Sequence, residues 1–198
     1  MKGKYTFNVW ITDDAETFLA DNMDVVEAGL KLFFWDKFMM NVNRFPDRIL
    51  ASAFNVRRSQ VNIKELIRVF REEYRPKPNV VDIIFIDRDL FIDGRAYIFS
   101  ATHMATKTIT ISIFRLAYAV NLGTEDGKSL FRERLYKELI HELGHLIGLD
   151  HCMNETCVMA FSPDIPHLDK KLPMLCNVCV EKARILGFNM EFNGGIDL

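Results

Sequence analysis

The sequence predicts an α/β domain in which helices cover a largely parallel sheet, and three observations lead to this prediction. Strand-like and helix-like segments alternate in the first half of the chain, which is the order expected of a layered α/β domain. Segment 79–87 (NVVDIIFID) is apolar on both faces, as a parallel strand covered on both sides is. The chain has 198 residues, 49% of them hydrophobic, so one domain with a single core is expected.

The first elements follow from the spacing of apolar residues. Segment 5–11 (YTFNVWI) alternates apolar and polar residues and predicts a first strand. Segment 23–35 repeats its apolar residues at helical spacing, and Asp21 or Asn22 is available to cap this helix. Segment 38–42 (FMMNV) predicts a second strand, and an FPD turn follows it.

The remaining elements complete the order β-α-β-α-β-β-β. Segment 59–74 predicts an amphipathic helix that Ser59 caps and two nearby prolines stop. After the strand at 79–87 and a DGR turn, segments 96–104 (AYIFSATHM) and 107–116 (KTITISIFRL) predict two more strands. A long helix from about Ser129 then carries LFRERLYKELIHELGHLIG, and we expect it to pack against the sheet.

Charge and composition exclude several classes of protein. A net charge of −2 from 25 basic and 27 acidic residues gives no reason to expect nucleic acid or an anionic membrane as a partner. The short clusters Arg57-Arg58 and Lys170-Lys171 are interpreted as solvated surface. No apolar stretch approaches the ~18 residues of a membrane span, and the N-terminus lacks the pattern of a signal peptide. We therefore expect a cytoplasmic monomer, whose four cysteines bind metal or stay reduced.

The stretch HELGHLIGLDH concentrates metal-binding side chains. His141 and His145 are four residues apart, so a helix places both imidazoles on one face. Gly148 tolerates the left-handed conformation that ends a helix, after which His151 can return as a third ligand. Glu142 can reach a water molecule on the same ion without binding the ion itself. Three imidazoles with an open fourth position are typical of catalytic zinc; histidines packed in a helical core are the alternative.

The cysteines of the chain follow as two chelating pairs, Cys152 with Cys157 and Cys176 with Cys179. Four thiolates around one ion form a closed, structural zinc site. Because His151 and Cys152 are adjacent, such a site would also fix the direction of His151. Reduced buried cysteines and a disulfide pair are alternatives. A zinc ribbon for nucleic acid is a further one, which the neutral charge balance disfavours.

The pattern H-E-x-x-H-x-x-G-x-x-H resembles that of metzincin zinc peptidases. Its continuation, HCMNETCVM followed by CNVC, is similar to one branch, the archaemetzincins, over residues 138–179. The resemblance implies one zincin-like domain over residues 1–198. It would hold a twisted, mixed and mostly parallel sheet of about five strands, a backing helix, an active-site helix and a C-terminal helix. Residues 1–128 would mainly form the sheet, and 129–198 would carry the active-site helix and both zinc sites.

The resemblance also implies roles for single residues. His141, His145 and His151 would bind a catalytic zinc ion, Glu142 would act as the general base, and Met159 would form an apolar Met-turn below the ion. The cofactors would be two zinc ions, one catalytic and one structural. The substrate would be a peptide, and the small size of the chain favours short peptides or chain ends. A zinc protein of this fold that binds peptides with little or no catalysis is the alternative.

Substrate contacts are less well defined by the sequence. We expect an extended peptide to pair with the strand at 96–104, at an edge of the sheet, through main-chain hydrogen bonds. His103 and His167 have no partner at ligand spacing and are interpreted as surface residues. Three tyrosines are candidates for a donor to the oxyanion, and their spacing does not choose among them: Tyr97, Tyr118 and Tyr136.

Overall fold

The computed structural model describes residues 5–35 and 37–188, which fall into two compact units. No helix in this part of the chain is both long and apolar enough to cross a membrane. That the whole chain forms one domain stays a prediction. In chain order the elements are β1 (Tyr5–Ile11), α1 (Asp13–Leu19), α2 (Met23–Phe34), β2 (Phe38–Arg44), α3 (Asp47–Ala53), β3 (Phe54–Asn55), β4 (Gln60–Asn62), α4 (Ile63–Glu73), β5 (Val80–Ile86), β6 (Leu90–Phe91), β7 (Ser100–His103), β8 (Thr108–Ser112), α5 (Ile113–Leu116), α6 (Glu125–Ile147), α7 (Ile165–Lys170) and α8 (Asn177–Ile185).

The first unit, residues 5–20 and 37–115, is built on a five-stranded sheet of order β2-β1-β5-β8-β7. The first four of these strands run parallel, and β7 pairs antiparallel with β8. The predicted α/β class with a mixed, mostly parallel sheet of about five strands is confirmed. β7 lies at an edge of this sheet, as predicted, and pairing of a peptide with it stays a prediction.

The core of the first unit explains why its central strands are so apolar. β5 is buried along almost its whole length, as expected for a parallel strand covered on both faces. Phe70 of α4 stacks on Phe45, with ring centroids 5.7 Å apart, and meets the edge of Trp10 at 5.4 Å. Ile84 and Ile86 of β5 belong to the same buried cluster.

The predicted start of the helix at Ser59 was wrong. The helix begins at Ile63, and the Asn62 side chain accepts hydrogen bonds from two backbone N–H groups of its first turn, at 3.0 and 3.3 Å. The three residues before Ile63 form strand β4, which pairs with β3 and β6. Gln60 enters this strand because its amide donates to Asp89 at 2.8 Å. Ser59 has a φ of 52°, a left-handed conformation that cannot start a helix.

Other differences concern short elements. The strand predicted at 96–104 forms only at Ser100–His103, because Ile98 bridges to Leu90 instead. The strand predicted at 107–116 ends at Ser112, and one helical turn follows it. Helices α1, α3 and α7 have six or seven residues each, too few for apolar periodicity to distinguish a helix from a loop.

The second unit, residues 21–35 and 116–188, contains the helices α2, α6, α7 and α8. Helix α6 begins at Glu125, four residues before the predicted start, because the Thr124 hydroxyl accepts a hydrogen bond from the backbone N–H of Gly127 at 3.1 Å. Helices α2 and α6 approach closely at Gly29, where a Cβ atom would lie only 2.7 Å from a Leu139 methyl carbon.

Helix α6 ends at Gly148, as predicted. Gly148 has a φ of 102°, and the backbone N–H of Leu149 donates to the Gly144 carbonyl at 2.9 Å. This hydrogen bond reverses the chain within two residues. The reversal brings the segment that follows, with His151, back toward the last turns of α6.

Candidate metal centres

Three imidazoles converge at the C-terminal end of α6. The ring centroids of His141 and His145 are 4.6 Å apart, and those of His145 and His151 are 4.8 Å apart. The potential ligand nitrogens of all three residues lie within 4.8 Å of one another. The structure therefore brings together the three histidines that the sequence predicted as one ligand set.

Backbone carbonyls orient two of these rings. The Nδ1–H group of His141 donates to the Val158 carbonyl, and that of His145 donates to the Leu149 carbonyl, both at 2.8 Å. A neutral imidazole that donates through Nδ1 carries a lone pair on Nε2. The two Nε2 atoms face each other at 3.0 Å, and such lone pairs repel unless a cation shares them.

The histidine cluster has the chemistry of a zinc site. Two nitrogens bound at about 2.0–2.1 Å to a tetrahedral zinc ion lie about 3.3 Å apart, close to the observed separation. Burial lowers the pKa of His141 well below its usual value, with a smaller effect of the same sign from the charge of Lys171. Burial also lowers the pKa of His145. Both imidazoles are therefore neutral at pH 7, the state in which they bind metal.

The two predicted ligands of α6 differ from the third in exposure. His141 is buried and His145 is half-buried, whereas His151 is exposed. The Phe161 ring lies against the His151 ring, with centroids 5.4 Å apart, and is itself 43% exposed. The cluster is thus closed toward the helix and accessible on the side of His151.

Glu142 and Met159 occupy buried positions near the histidines. Glu142 is 3% exposed, and it follows His141 on α6. Met159 is fully buried, and its Sδ atom would lie only 2.3 Å from a Cβ atom added at Gly144. Gly144 stands between the two histidine positions of the helix, so its missing side chain lets the thioether pack directly against the backbone there. A role for Met159 as a Met-turn stays a prediction.

The four cysteines form a second cluster. The Sγ atoms of Cys152 and Cys176 are 3.7 Å apart, and those of Cys157 and Cys179 are 3.8 Å apart. A disulfide requires about 2.05 Å between the two sulfur atoms, so neither of these pairs is bonded in the structure. Four thiolates at about 2.3 Å from a tetrahedral zinc ion would lie about 3.8 Å apart, which matches the observed distances.

The surroundings of the sulfur atoms differ between the cysteines. Cys157 and Cys179 are buried, and burial raises the pKa of both thiols. Burial acts on Cys176 in the same direction, but a hydrogen bond from the Cys179 backbone N–H and others from neighbouring thiols lower its pKa to about 7. Backbone N–H groups of Asn154 and Cys176 point at the Sγ atoms of Cys152 and Cys157, at 3.4 and 3.3 Å.

The remaining sequence candidates lie elsewhere. His103 and His167 are exposed and interact locally with Thr106 and Asp164, at 2.7 and 2.5 Å. Tyr118 is 70% exposed, and burial raises the pKa of Tyr136 to about 12. In the first unit, the Arg115 guanidinium lies 3.4 Å from the Tyr97 ring centroid. The role of a tyrosine as an oxyanion donor stays a prediction.

Sequence reasoning missed the groups that hold the ligands. The Val158 and Leu149 carbonyls orient two histidines, but a backbone carbonyl has no signature in the sequence. Lys171 was interpreted as solvated surface, and this was wrong, since it is only 2% exposed. The stretch LDKKLPM does not distinguish the buried Lys171 from the exposed Lys170.

Comparison with known proteins shows the family of the chain. The sequence model of peptidase family M54 matches residues 11–184, most of the chain. The chain belongs to peptidase family M54. It is 34% identical to the archaemetzincin of Haloarcula marismortui over 136 residues, which are 68% of this chain and 77% of that protein. Its place among the archaemetzincins, predicted from the motif, is confirmed, and M54 membership makes it a zinc metallopeptidase.

Two solved structures have a similar fold. The archaemetzincin of Methanopyrus kandleri superimposes with a TM-score of 0.74 at 24% identity, covering 94% of this chain and 97% of that one. A zinc-dependent peptidase from Methanocorpusculum labreanum gives 0.67 at 22% identity, covering 91% and 98%. The predicted zincin-like fold class is therefore confirmed.

Proposed function

We propose that this member of family M54 hydrolyses peptide bonds of short peptides or chain ends, with two zinc ions as cofactors. His141, His145 and His151 would hold the catalytic ion, and the four cysteines would hold the structural one. The observation that carries the proposal is the convergence of three imidazoles, closed by the helix on one side and accessible at His151.

The protein's own residues divide the work of the reaction. The Val158 and Leu149 carbonyls keep the Nδ1 atoms of His141 and His145 protonated and turn both Nε2 lone pairs toward the site. When bound, zinc supplies a Lewis acid that lowers the pKa of a water molecule to about 7 and polarises the scissile carbonyl. The Glu142 carboxylate would act as the general base for the attacking water and as the acid that protonates the nitrogen of the leaving amine.

The structural centre would serve the catalytic one. Cys152 follows His151 directly, and its backbone N–H donates to the Met159 carbonyl at 2.9 Å. Fixing Cys152 on an ion would therefore fix the neighbouring His151 ring and the segment that carries Met159. Substrate enters at the exposed side of the histidine cluster, next to the Phe161 ring, which supplies an apolar surface there.

A fluorogenic peptide library assay tests the proposal on the zinc-loaded protein, with and without a chelator. The Glu142→Gln variant should lose about 10³-fold in kcat, in the range expected for loss of a general base, and should retain two zinc equivalents. Glu133→Gln, on the same helix but half-exposed and paired with Lys137, is the matched control and should keep its activity.

Two outcomes would contradict the proposal. An active Glu142→Gln variant would remove Glu142 from the mechanism. A zinc-loaded wild type that binds library peptides in a chelator-sensitive way without cleaving any of them would favour the alternative, a peptide-binding zinc protein with little or no catalysis.

A further inference from the structure

Lys171 differs sharply from the lysine next to it. Lys170 is exposed and pairs with Glu155 at 2.5 Å, as a surface lysine does. Lys171 is the C-cap residue of α7 and is 2% exposed. Burial of an ammonium group costs several kcal/mol unless hydrogen bonds and opposite charges compensate it, so its partners indicate its role.

The hydrogen bond of Lys171 leads directly to the histidine cluster. Its Nζ atom donates to the Val158 carbonyl at 3.2 Å, and the Nδ1–H group of His141 donates to the same oxygen at 2.8 Å. The carbonyl that orients the first histidine is therefore itself held by a buried lysine. Val158 lies between Cys157 and Met159, so the same peptide unit connects the two candidate metal centres.

The backbone keeps Lys171 in this position. The N–H group of Leu172 donates to the Thr156 carbonyl at 2.8 Å, and that of Val158 donates to the Met174 carbonyl at 3.1 Å. The segment after Lys171 thus runs beside the segment that carries Val158, and these two hydrogen bonds fix the chain directly after the lysine.

Most of the charges that act on Lys171 are negative. Burial lowers the pKa of Lys171, whereas the charges of Glu138, Glu142 and Cys157 favour the ammonium form; the charge of Lys137 has a smaller effect in the same direction as burial. Four thiolates on one divalent zinc ion carry a net charge of −2, and a buried anion of this size requires nearby positive charge. Lys171 supplies such a charge beside Cys157.

We propose that Lys171 is a positioning residue shared by both metal centres. Its ammonium group holds the Val158 carbonyl that orients His141, and its charge offsets the negative charge of the four-cysteine centre. This inference rests on the proposed function, because it assumes that zinc binds both clusters. It assigns to one lysine the physical link between catalytic and structural metal.

The test is zinc affinity at each cluster, measured without substrate by competition with a chromophoric chelator. Replacement of zinc by cobalt assigns the steps, since only the cysteine cluster gives cobalt–thiolate charge-transfer absorption. Lys171→Met should lower the zinc affinity of both clusters by about tenfold or more, as expected for loss of an outer-shell partner. Lys171→Arg keeps the charge and should retain the affinity of the cysteine cluster within about threefold of wild type.

Lys137→Met is the matched control for loss of a buried ammonium. Lys137 is 1% exposed, but it donates to the Leu168 and Asp169 carbonyls at 3.4 and 3.2 Å and not to Val158. This variant should lower Tm and leave both zinc affinities within about threefold of wild type. Wild-type affinities in Lys171→Met, or an equal loss in Lys137→Met, would overturn the proposal.

A second variant covers the case in which Lys171→Met does not fold. If Lys171→Met does not fold, Lys171→Gln removes the charge but keeps a donor, and the same comparison with Lys171→Arg and Lys137→Met applies. Because the affinities are measured without substrate, a wild-type protein that binds zinc but cleaves no peptide would contradict the proposed function and leave the role of Lys171 intact.

Discussion

The two donor clusters of the second unit come from one region of the chain but are held in opposite ways. In the histidine cluster, backbone carbonyls accept hydrogen bonds from the ring N–H groups of His141 and His145. In the cysteine cluster, backbone N–H groups point at the sulfur atoms of Cys152 and Cys157. Carbonyls make an imidazole a better donor, whereas N–H groups stabilise a thiolate.

The clusters also differ in number of donors and in access. The histidine cluster has three donors, and His151 is exposed, whereas the cysteine cluster has four, and Cys157 and Cys179 are buried. A tetrahedral ion with three protein ligands keeps a position for an exchangeable ligand, and one with four does not. The number of donors, together with the exposure of His151, would therefore make the first centre reactive and the second structural.

The largest effects are expected when one donor is removed from each cluster. Cys176→Ser should lose one zinc equivalent and several kcal/mol of the free energy of unfolding, because binding of a structural zinc ion is worth about 10–16 kcal/mol in zinc-finger peptides. His145→Ala should also lose one equivalent and all turnover, with a much smaller change in stability. Metal analysis beside urea unfolding measures both. Loss of both ions in either variant would show that the clusters are not independent.

The zinc affinities of the two clusters should also depend differently on pH. Burial lowers the pKa of His141 and His145, so both are neutral above pH 6.5 and release no proton when metal binds. Burial raises the pKa of Cys157 and Cys179, so both are protonated at pH 7 and each releases a proton. Zinc affinity of the cysteine cluster should therefore rise at least about 100-fold per pH unit between pH 7 and 8, and that of the histidine cluster should stay nearly constant.

Competition titrations of wild type at pH 7.0, 7.5 and 8.0, with cobalt spectra to assign each step, measure the two slopes. Cys176→Ser, which retains only the histidine cluster, provides the control for the shallow slope. Equal slopes for both clusters would mean that the thiols are already ionised before metal binds, contrary to their burial.

The main elements and both donor sets could be predicted because each depends on spacing along a single segment. Helix α6 ends at Gly148, and the spacing of four positions from His141 to His145 places both rings on one face whatever surrounds them. The cap of α4 could not be predicted in the same way. Ser59 and Asn62 are both good capping residues, and Asn62 caps because Gln60 bonds to Asp89, 29 residues along the chain.

The supporting parts of the site depend on tertiary contacts and therefore could not be predicted from the sequence. Lys170 and Lys171 have the same side chain and neighbouring positions, yet one is exposed and the other is 2% exposed. The difference arises at the end of α7, where the chain turns and pairs with the segment around Val158. Neither the short helix nor the pairing has a periodic signal in the sequence.

Gly144→Ala should disturb the histidine cluster and leave the cysteine cluster unchanged. The new Cβ atom would lie 2.3 Å from the Met159 Sδ atom, so the methionine must move. Overpacking of this kind costs about 1–3 kcal/mol, and zinc affinity at the histidines should fall while that at the cysteines stays. Adding Met159→Ala should restore part of the loss, giving a coupling free energy between the two sites in chemical unfolding. Strictly additive effects would show that Met159 does not pack at Gly144.

Gly148→Ala should give the smallest loss of stability. It tests whether zinc binding at the histidines depends on the turn after α6. Gly148 has a φ of 102°, and a Cβ atom there would meet only ordinary contacts with Leu186, so strain is the main cost, about 1–2 kcal/mol. Gly94→Ala is the matched control, because Gly94 has a φ of 84° and open space around a Cβ atom. Both variants should lose similar stability in urea, but only Gly148→Ala should weaken zinc binding at the histidines, since the Leu149 carbonyl and His151 follow that turn. Equal zinc affinity in the two variants would mean that the third histidine reaches its place without the helix ending there.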